Sequence, residues 1–305
     1  MSQIFVQIAS YRDPELVATV QDAIQKAAHP DRISFGIVWQ GKPGVDELPW
    51  QQLSWCRILL IDSDRSQGVC WARSKTQALW EGEPYTLQID SHMRFVYGWD
   101  DLLLHMWHQC PSEKAVLTAY PPAYTPPNFL HPNSQPTTLG ASHFTESGSL
   151  SLVSQQSVAN HIRPQLGMFI AAGFWFAPAQ FIQDIPYDPQ LYFQGEETSL
   201  AVRAWTHGWD IYHPNQIACY HEYERPGKPK HWDDHPQWWQ LEQMAQTRLQ
   251  QLLGLAPNQD TLAAYGLGTN RSLSAYQEFS GVNFQQRSLT ESARQGIPAI
   301  ALHRF

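Results

Sequence analysis

The chain has 305 residues with 20 Lys plus Arg, 28 Asp plus Glu and a formal net charge of −8. Charged residues make up 16% and hydrophobic residues 43%, which excludes a disordered chain and supplies material for a sizeable core. The acidic balance, with no Lys/Arg cluster, argues against nucleic acid as the main partner. Trp and Phe each occur 13 times. Most Trp fills core, but exposed Trp faces stack on sugars, so the count is a hint of carbohydrate.

The opening MSQIFVQIASYRD has no basic region ahead of an apolar run, so no secretory signal is expected. No stretch approaches about 18 consecutive apolar residues, so no membrane span is expected. Cys56, Cys70, Cys110 and Cys219 are widely spaced without a CxxC pair. They read as reduced, mostly buried thiols, and the protein as cytoplasmic.

In chain order, the first strand is Ile4–Ala9, leading to Ser10-Tyr11-Arg12-Asp13-Pro14. Asp13 suits a helix N-cap and Pro14 the first helical position. Apolar residues at 16, 17, 20, 23, 24 and 27 then follow helical spacing. Strands are predicted at Ile33–Trp39, Arg57–Ile61 and 85–89, with a helix over 71–80. A helix over Trp99–Cys110 and a strand over Ala115–Ala119 precede a proline-rich loop, 120–135. The apolar run 168–176 predicts a strand, Glu196–His207 a helix, Ile217–Tyr220 a short strand and 236–253 a long helix. This alternation predicts an α/β fold with a mostly parallel sheet flanked by helices. Residues 1–254 are expected to form the main domain and 255–305 a C-terminal appendage packed on it.

The sharpest chemical signal is Gln88-Ile89-Asp90-Ser91-His92 at the end of a buried strand. In extended chain, residues i and i+2 face one side, so Asp90 and His92 can converge on one ion. An O/N pair suits Mn²⁺ or another borderline divalent ion better than Ca²⁺. Ligands of open α/β sheets bind outside the carboxyl ends of strands, which fits the location. His221 is one candidate third ligand. His231 and His235, in HWDDH, are the other, although Pro226, Pro229 and Pro236 argue against a regular helix there.

Glu196 and Glu197 open a helix. Carboxylates favour a first helical turn on dipole grounds alone, and the functional alternative is that one of them faces a substrate hydroxyl. Gly173-Phe174-Trp175-Phe176 offers a small residue beside aromatics that could pack on a sugar face. Gly68 precedes a helix start that could receive a phosphate, with Arg73 adding charge one turn in. No G-x-G-x-x-G, P-loop or G-x-S-x-G motif occurs.

These pieces in this order resemble GT-A nucleotide-sugar glycosyltransferases. The closer resemblance is to the GlcNAc-transferase family that includes the Skp1-type hydroxyproline polypeptide α-N-acetylglucosaminyltransferases. It rests on IFVQIASYRDPEL, RISFGIVWQ, GVCWARSKTQALWEGEPYTLQIDSHMRFVYGWD, GEETSLAVRAWTHGWDIYHP with CYHEY, and YGLGTNRSLSAYQEFSGVNF. The resemblance implies that Asp90 and His92 form the DxH variant of the metal motif, known also in polypeptide GalNAc-transferases, and that His221 completes it. It implies donor contacts from Ser10, Arg12, Arg73 and Asp90, to which the aromatic stretch after Gly173 adds Trp175, and an acidic motif at Glu196 and Glu197 beneath the reacting sugars. It further implies UDP-GlcNAc as donor, Mn²⁺ or Mg²⁺ as cofactor, retention of configuration, and a hydroxyl acceptor such as one on a protein or peptide. Two other readings stand beside it: a sugar- or nucleotide-binding module that keeps the same residues around a structural metal, and a Zn²⁺ hydrolase built on His221, His231 and His235 that would survive loss of Asp90.

Overall fold

In a computed structural model, which describes residues 3–46, 55–257 and 259–299, the N-terminal apolar run forms β1 (Ile4–Tyr11). It leads into α1 (Leu16–Lys26), whose Leu16, Thr19, Val20 and Ala23 are buried at helical spacing. β2 (Ile33–Gly41) is buried along its whole length, as expected of a central parallel strand. β3 (Cys56–Asp62), α2 (Val69–Gln77), β4 (Tyr85–Ile89), β5 (Met93–Phe95), α3 (Trp99–His108) and β6 (Ala115–Thr118) complete the first half.

The proline-rich loop carries two short strands, β7 (Tyr124–Thr125) and β8 (Phe129–Leu130). An antiparallel hairpin follows, β9 (Thr137–Phe144) and β10 (Leu150–Ser157), in a stretch where sequence patterning predicts no element. Its strands are rich in Ser, Thr and Gln, which blurs the alternation, and Gly148 at φ +87° turns the chain between them. After β11 (Gln165–Leu166) comes β12 (Phe174–Pro178), which is shorter than the strand predicted over 168–176. Met168–Gly173 is instead a buried irregular segment. Side chains satisfy its amides there: Ala171 N donates to Thr118 Oγ1 at 2.9 Å and Ala172 N to Glu197 Oε1 at 3.0 Å.

α4 (Gln180–Asp184), α5 (Glu196–Thr206), β13 (Asp210–His213), β14 (Cys219–His221), α6 (His231–Asp234) and α7 (Trp238–Leu252) follow. The HWDDH stretch does form one helical turn, against the sequence expectation, because the prolines flank it rather than interrupt it. Lys230 N donates to Asp233 Oδ2 at 2.9 Å and closes that turn. The chain then forms α8 (Leu273–Ser280), β15 (Val282–Asn283), β16 (Ser288–Leu289) and α9 (Glu291–Gln295).

The main sheet has eight strands in the order β11-β13-β6-β12-β4-β1-β2-β3. β3, β2, β1 and β4 run parallel, β12 is antiparallel to both neighbours, and β6 and β13 are parallel to each other. α1 and α3 cover one face, where Leu16, Val20, Trp99 and Leu103 pack against Ile4, Val6 and Ile8. α5 and α7 cover the other side, and Tyr276, Phe279 and Phe284 from beyond Gly254 share their core. Tyr276 also donates to Met168 O at 2.9 Å. Among the described residues, no helix is long and apolar enough to cross a membrane.

Candidate active site

β4 ends at Ile89, and Asp90 is the first residue beyond it, with its N–H donating to Gly173 O at 3.2 Å. The turn that follows is pinned by α1. Thr19 Oγ1 donates to Ser91 O at 2.8 Å and accepts from Met93 N at 2.9 Å. β5 pairs antiparallel with β14, with Met93 opposite His221, so the pairing brings His221 beside the Asp90-Ser91-His92 turn. The ligating atoms of Asp90, His92 and His221 all lie within 4.8 Å of one another. His221 Nε2 is 3.1 Å from Asp90 Oδ2, and the two imidazoles meet edge-on at 4.6 Å.

This donor set fits a divalent cation. One carboxylate and two imidazoles suit a borderline ion, and His221 Nδ1 is buried without a hydrogen-bond partner. Burial lowers the His221 pKa and favours the neutral imidazole, the form that ligates metals. Burial alone would raise the Asp90 pKa, but Arg73 above all, and then His221, hold the carboxyl well below the usual carboxylate range.

Arg73, on α2, is buried and splits its guanidinium between two carboxylates: Nη2 donates to Asp90 Oδ1 at 2.5 Å and Nη1 to Glu196. Glu197, the next residue of α5, takes different partners. Its Oε2 accepts from Tyr120 OH at 2.7 Å and its Oε1 from Ala172 N. Burial pushes the Glu197 carboxyl up to about 7, against the lowering effect of these hydrogen bonds.

These groups line one cavity of about 600 Å³, large enough for a small organic ligand. Asp90, His92, His221, Arg73, Glu196 and Glu197 all face it. Ser10, Arg12 and Trp175 do not. On β1, alternation turns Ala9 and Tyr11 to the cavity and Ser10 into the interior. Arg12 pairs with Asp46 at 2.8 Å and Asp234 at 2.9 Å. Trp175 sits opposite Gln88 in the sheet and is fully buried among core residues, so its ring has no face for a sugar.

His231 and His235 take other contacts, although His231 lines the cavity and its Nε2 is left without a hydrogen-bond partner among the described residues. Their rings stack at 4.0 Å, Tyr192 OH lies 2.7 Å from His231 Nδ1, and His235 Nε2 reaches Ser63 O at 3.0 Å. Among the described residues, the three or more candidate ligands that converge are Asp90, His92 and His221, and neither HWDDH histidine joins them. Sequence reasoning missed Tyr120 as a cavity residue and took Asp13 only as a helix cap. Each lies two residues past a strand carboxyl end, one step beyond the position that singles out Asp90.

Gly173 has a steric reason to lack a side chain: an added Cβ would lie 2.7 Å from Asp90 Oδ2. Gly173→Ala is therefore expected to push the carboxylate out of line and weaken any divalent-cation binding at the site roughly tenfold, an effect comparable to loss of an outer-shell contact. Isothermal titration of the purified variant with Mn²⁺ measures it, and unchanged affinity would show that Asp90 moves freely.

The sequence fits the family model described as Glycosyltransferase (GlcNAc) over residues 3–54 and 51–286. The chain belongs to this glycosyltransferase family. No curated protein matches it. The crystal structure of GalNAc-T7 with UDP, GalNAc and Mn²⁺ aligns at a TM-score of 0.63 and 12% identity, covering 91% of this chain and 56% of that one. The chain thus spans little more than half the length of that glycosyltransferase. Weaker likenesses are S. aureus TarS 1-349 with UDP-GlcNAc (TM-score 0.46, 11% identity, 82% of this chain and 70% of that one) and the Pyrobaculum calidifontis mannosyltransferase PcManGT with GDP-Man and Mn²⁺ (0.48, 11%, 74% and 58%). At such identities the likeness speaks for the fold alone, and that fold is the mixed α/β GT-A type.

Proposed function

We propose that this glycosyltransferase moves GlcNAc from UDP-GlcNAc to a hydroxyl acceptor, on a protein or peptide as in the Skp1-type enzymes, with retention of configuration and with Mn²⁺ or Mg²⁺ as cofactor. The observation that carries the reading is the convergence of Asp90, His92 and His221 at the carboxyl end of β4, on the wall of the cavity. A divalent cation held there supplies Lewis-acid stabilisation of a leaving nucleoside diphosphate.

The chain's own residues do the rest. Arg73 fixes one oxygen of Asp90 and leaves the other beside His221, so the carboxylate is oriented before any ligand arrives. Glu197, facing the cavity with Tyr120 as its partner, is assigned to hold sugar hydroxyls, and Glu196 to hold Arg73. Ser10 and Arg12 act on the donor only indirectly, by shaping the end of β1. Residues 1–254 would form the catalytic domain, with 255–305 as an appendage that buttresses α5. Four free cysteines suit a reducing, cytoplasmic setting.

The test is a panel of UDP-sugars with Mn²⁺, scored for both binding and UDP release. UDP-GlcNAc is expected to release UDP fastest, and chelation to stop the release. Binding without release would make the protein a nucleotide-sugar-binding module, and preference for another sugar would replace GlcNAc.

A further inference from the structure

Asp13 is a buried carboxylate to which the transfer chemistry above gives no task. It stands between β1 and α1 with its side chain only 1% exposed. Its Oδ1 accepts from Glu15 N at 3.0 Å and closes the entry to α1. Its Oδ2 does something unrelated to the helix. It accepts from Ser91 Oγ at 2.5 Å, faces His92 Nδ1 at 2.7 Å and pairs with Arg225 Nη2 at 3.0 Å.

A neutral imidazole carries its proton on one nitrogen and a lone pair on the other. A carboxylate accepts only, so a contact at Nδ1 requires the proton there and leaves the lone pair on Nε2. We infer that Asp13 is a positioning residue of the cation site, fixing His92 as the Nδ1–H tautomer so that Nε2 faces the point shared with Asp90 and His221. The inference rests on the proposed cation site and adds to it an outer shell from a different element.

The surroundings leave the carboxylate little choice of orientation. Ser91 and His92 belong to the turn that Thr19 of α1 pins, so donor and acceptor are both anchored to the same helix. Arg225 supplies the compensating positive charge, and it lies four residues beyond His221. One carboxylate therefore ties together the two segments that bear the histidines. Carboxylate–histidine–metal relays of this form orient the ring and raise its basicity, and their loss costs roughly 10- to 100-fold in metal affinity.

The experiment measures Mn²⁺ alone, by electron paramagnetic resonance of the free ion, on the full chain as wild type, Asp13→Asn and Arg225→Gln. Asp13→Asn is expected to weaken Mn²⁺ binding at least tenfold, and Arg225→Gln by less than threefold, since among the described residues no hydrogen bond joins Arg225 to His92. Equal losses in both variants would assign the effect to the charge balance of the cluster and overturn the positioning role. Wild-type binding that survives Asp13→Asn unchanged overturns this inference and leaves the cation site standing. A wild type that binds no Mn²⁺ overturns both. Should Asp13→Asn fail to fold, the wild type decides: long-range ¹⁵N correlations of the metal-free imidazoles, with His92 assigned by comparison with His92→Gln, are expected to show the Nδ1–H tautomer. The Nε2–H tautomer overturns the inference.

Discussion

Asp90→Asn is expected to cut metal-dependent donor turnover by more than about 100-fold, beyond what loss of an outer-shell contact costs, because it removes the one anionic oxygen donor of the site. The substitution keeps shape and an acceptor oxygen, so the loss reports charge rather than packing. Arg73 keeps Glu196 as a partner, which limits the damage to the fold. We expect a stability loss of about 1–3 kcal/mol, the scale of one weakened charge-assisted hydrogen bond, and no collapse. Mn²⁺-dependent UDP release beside a thermal melt separates the two effects. A variant that unfolds makes Asp90 structural, and one that keeps turnover removes it from the site.

The fold was legible where hydrophobic period and chain punctuation agree. β1, β2 and α1 carry long apolar runs or clean helical spacing, and their boundaries fall close to the observed ones. The β9–β10 hairpin was illegible because its strands are built from Ser, Thr and Gln, whose place in a sheet is set by packing under α9 and beside α5. Residues 168–176 misled for a different reason. An apolar run signals burial, and only the donors and acceptors around it decide whether the buried backbone is strand or loop.

The site was legible in part for the same kind of reason. Asp90 and His92 are two residues apart on an extended chain, so local geometry suffices to pair them. His221 is 129 positions beyond His92 and arrives through the β5–β14 pairing, which spacing cannot reveal. Trp175 shows the opposite failure. A Trp beside a glycine near a strand reads as a sugar platform, yet the antiparallel register of β12 points it into the core. Asp13 looked complete as a helix cap, yet the N-cap of α1 is Glu15; one Asp13 oxygen closes the turn before it, and the other belongs to His92.

The two adjacent glutamates of α5 should separate cleanly. Both line the cavity, but Glu196 is held in a buried ion pair with Arg73, whereas Glu197 has a tyrosine hydroxyl and one backbone amide as partners. Glutamine at 197 can keep both contacts, accepting from Ala172 N through its oxygen and donating to Tyr120 through its amide. Glu197→Gln is therefore expected to fold well and to lower turnover at least tenfold, about 1.4 kcal/mol of transition-state stabilisation. Glu196→Gln weakens a buried ion pair, so it is expected to cost about 1–3 kcal/mol of stability while lowering turnover less than its neighbour does. A pH series adds a second signature for Glu197. Its pKa is about 7 in the folded chain against an ordinary 4.5, so the folded state holds a proton that the unfolded chain releases. The associated stability is fully present below pH 4.5 and is lost as pH rises through about 7, up to about 3 kcal/mol in total. Glu197→Gln cannot titrate and should flatten that part of the stability profile. Melting curves of both variants from pH 4 to 8, set beside steady-state UDP release, read all of these effects. If both variants keep wild-type turnover, the acidic pair merely opens a helix.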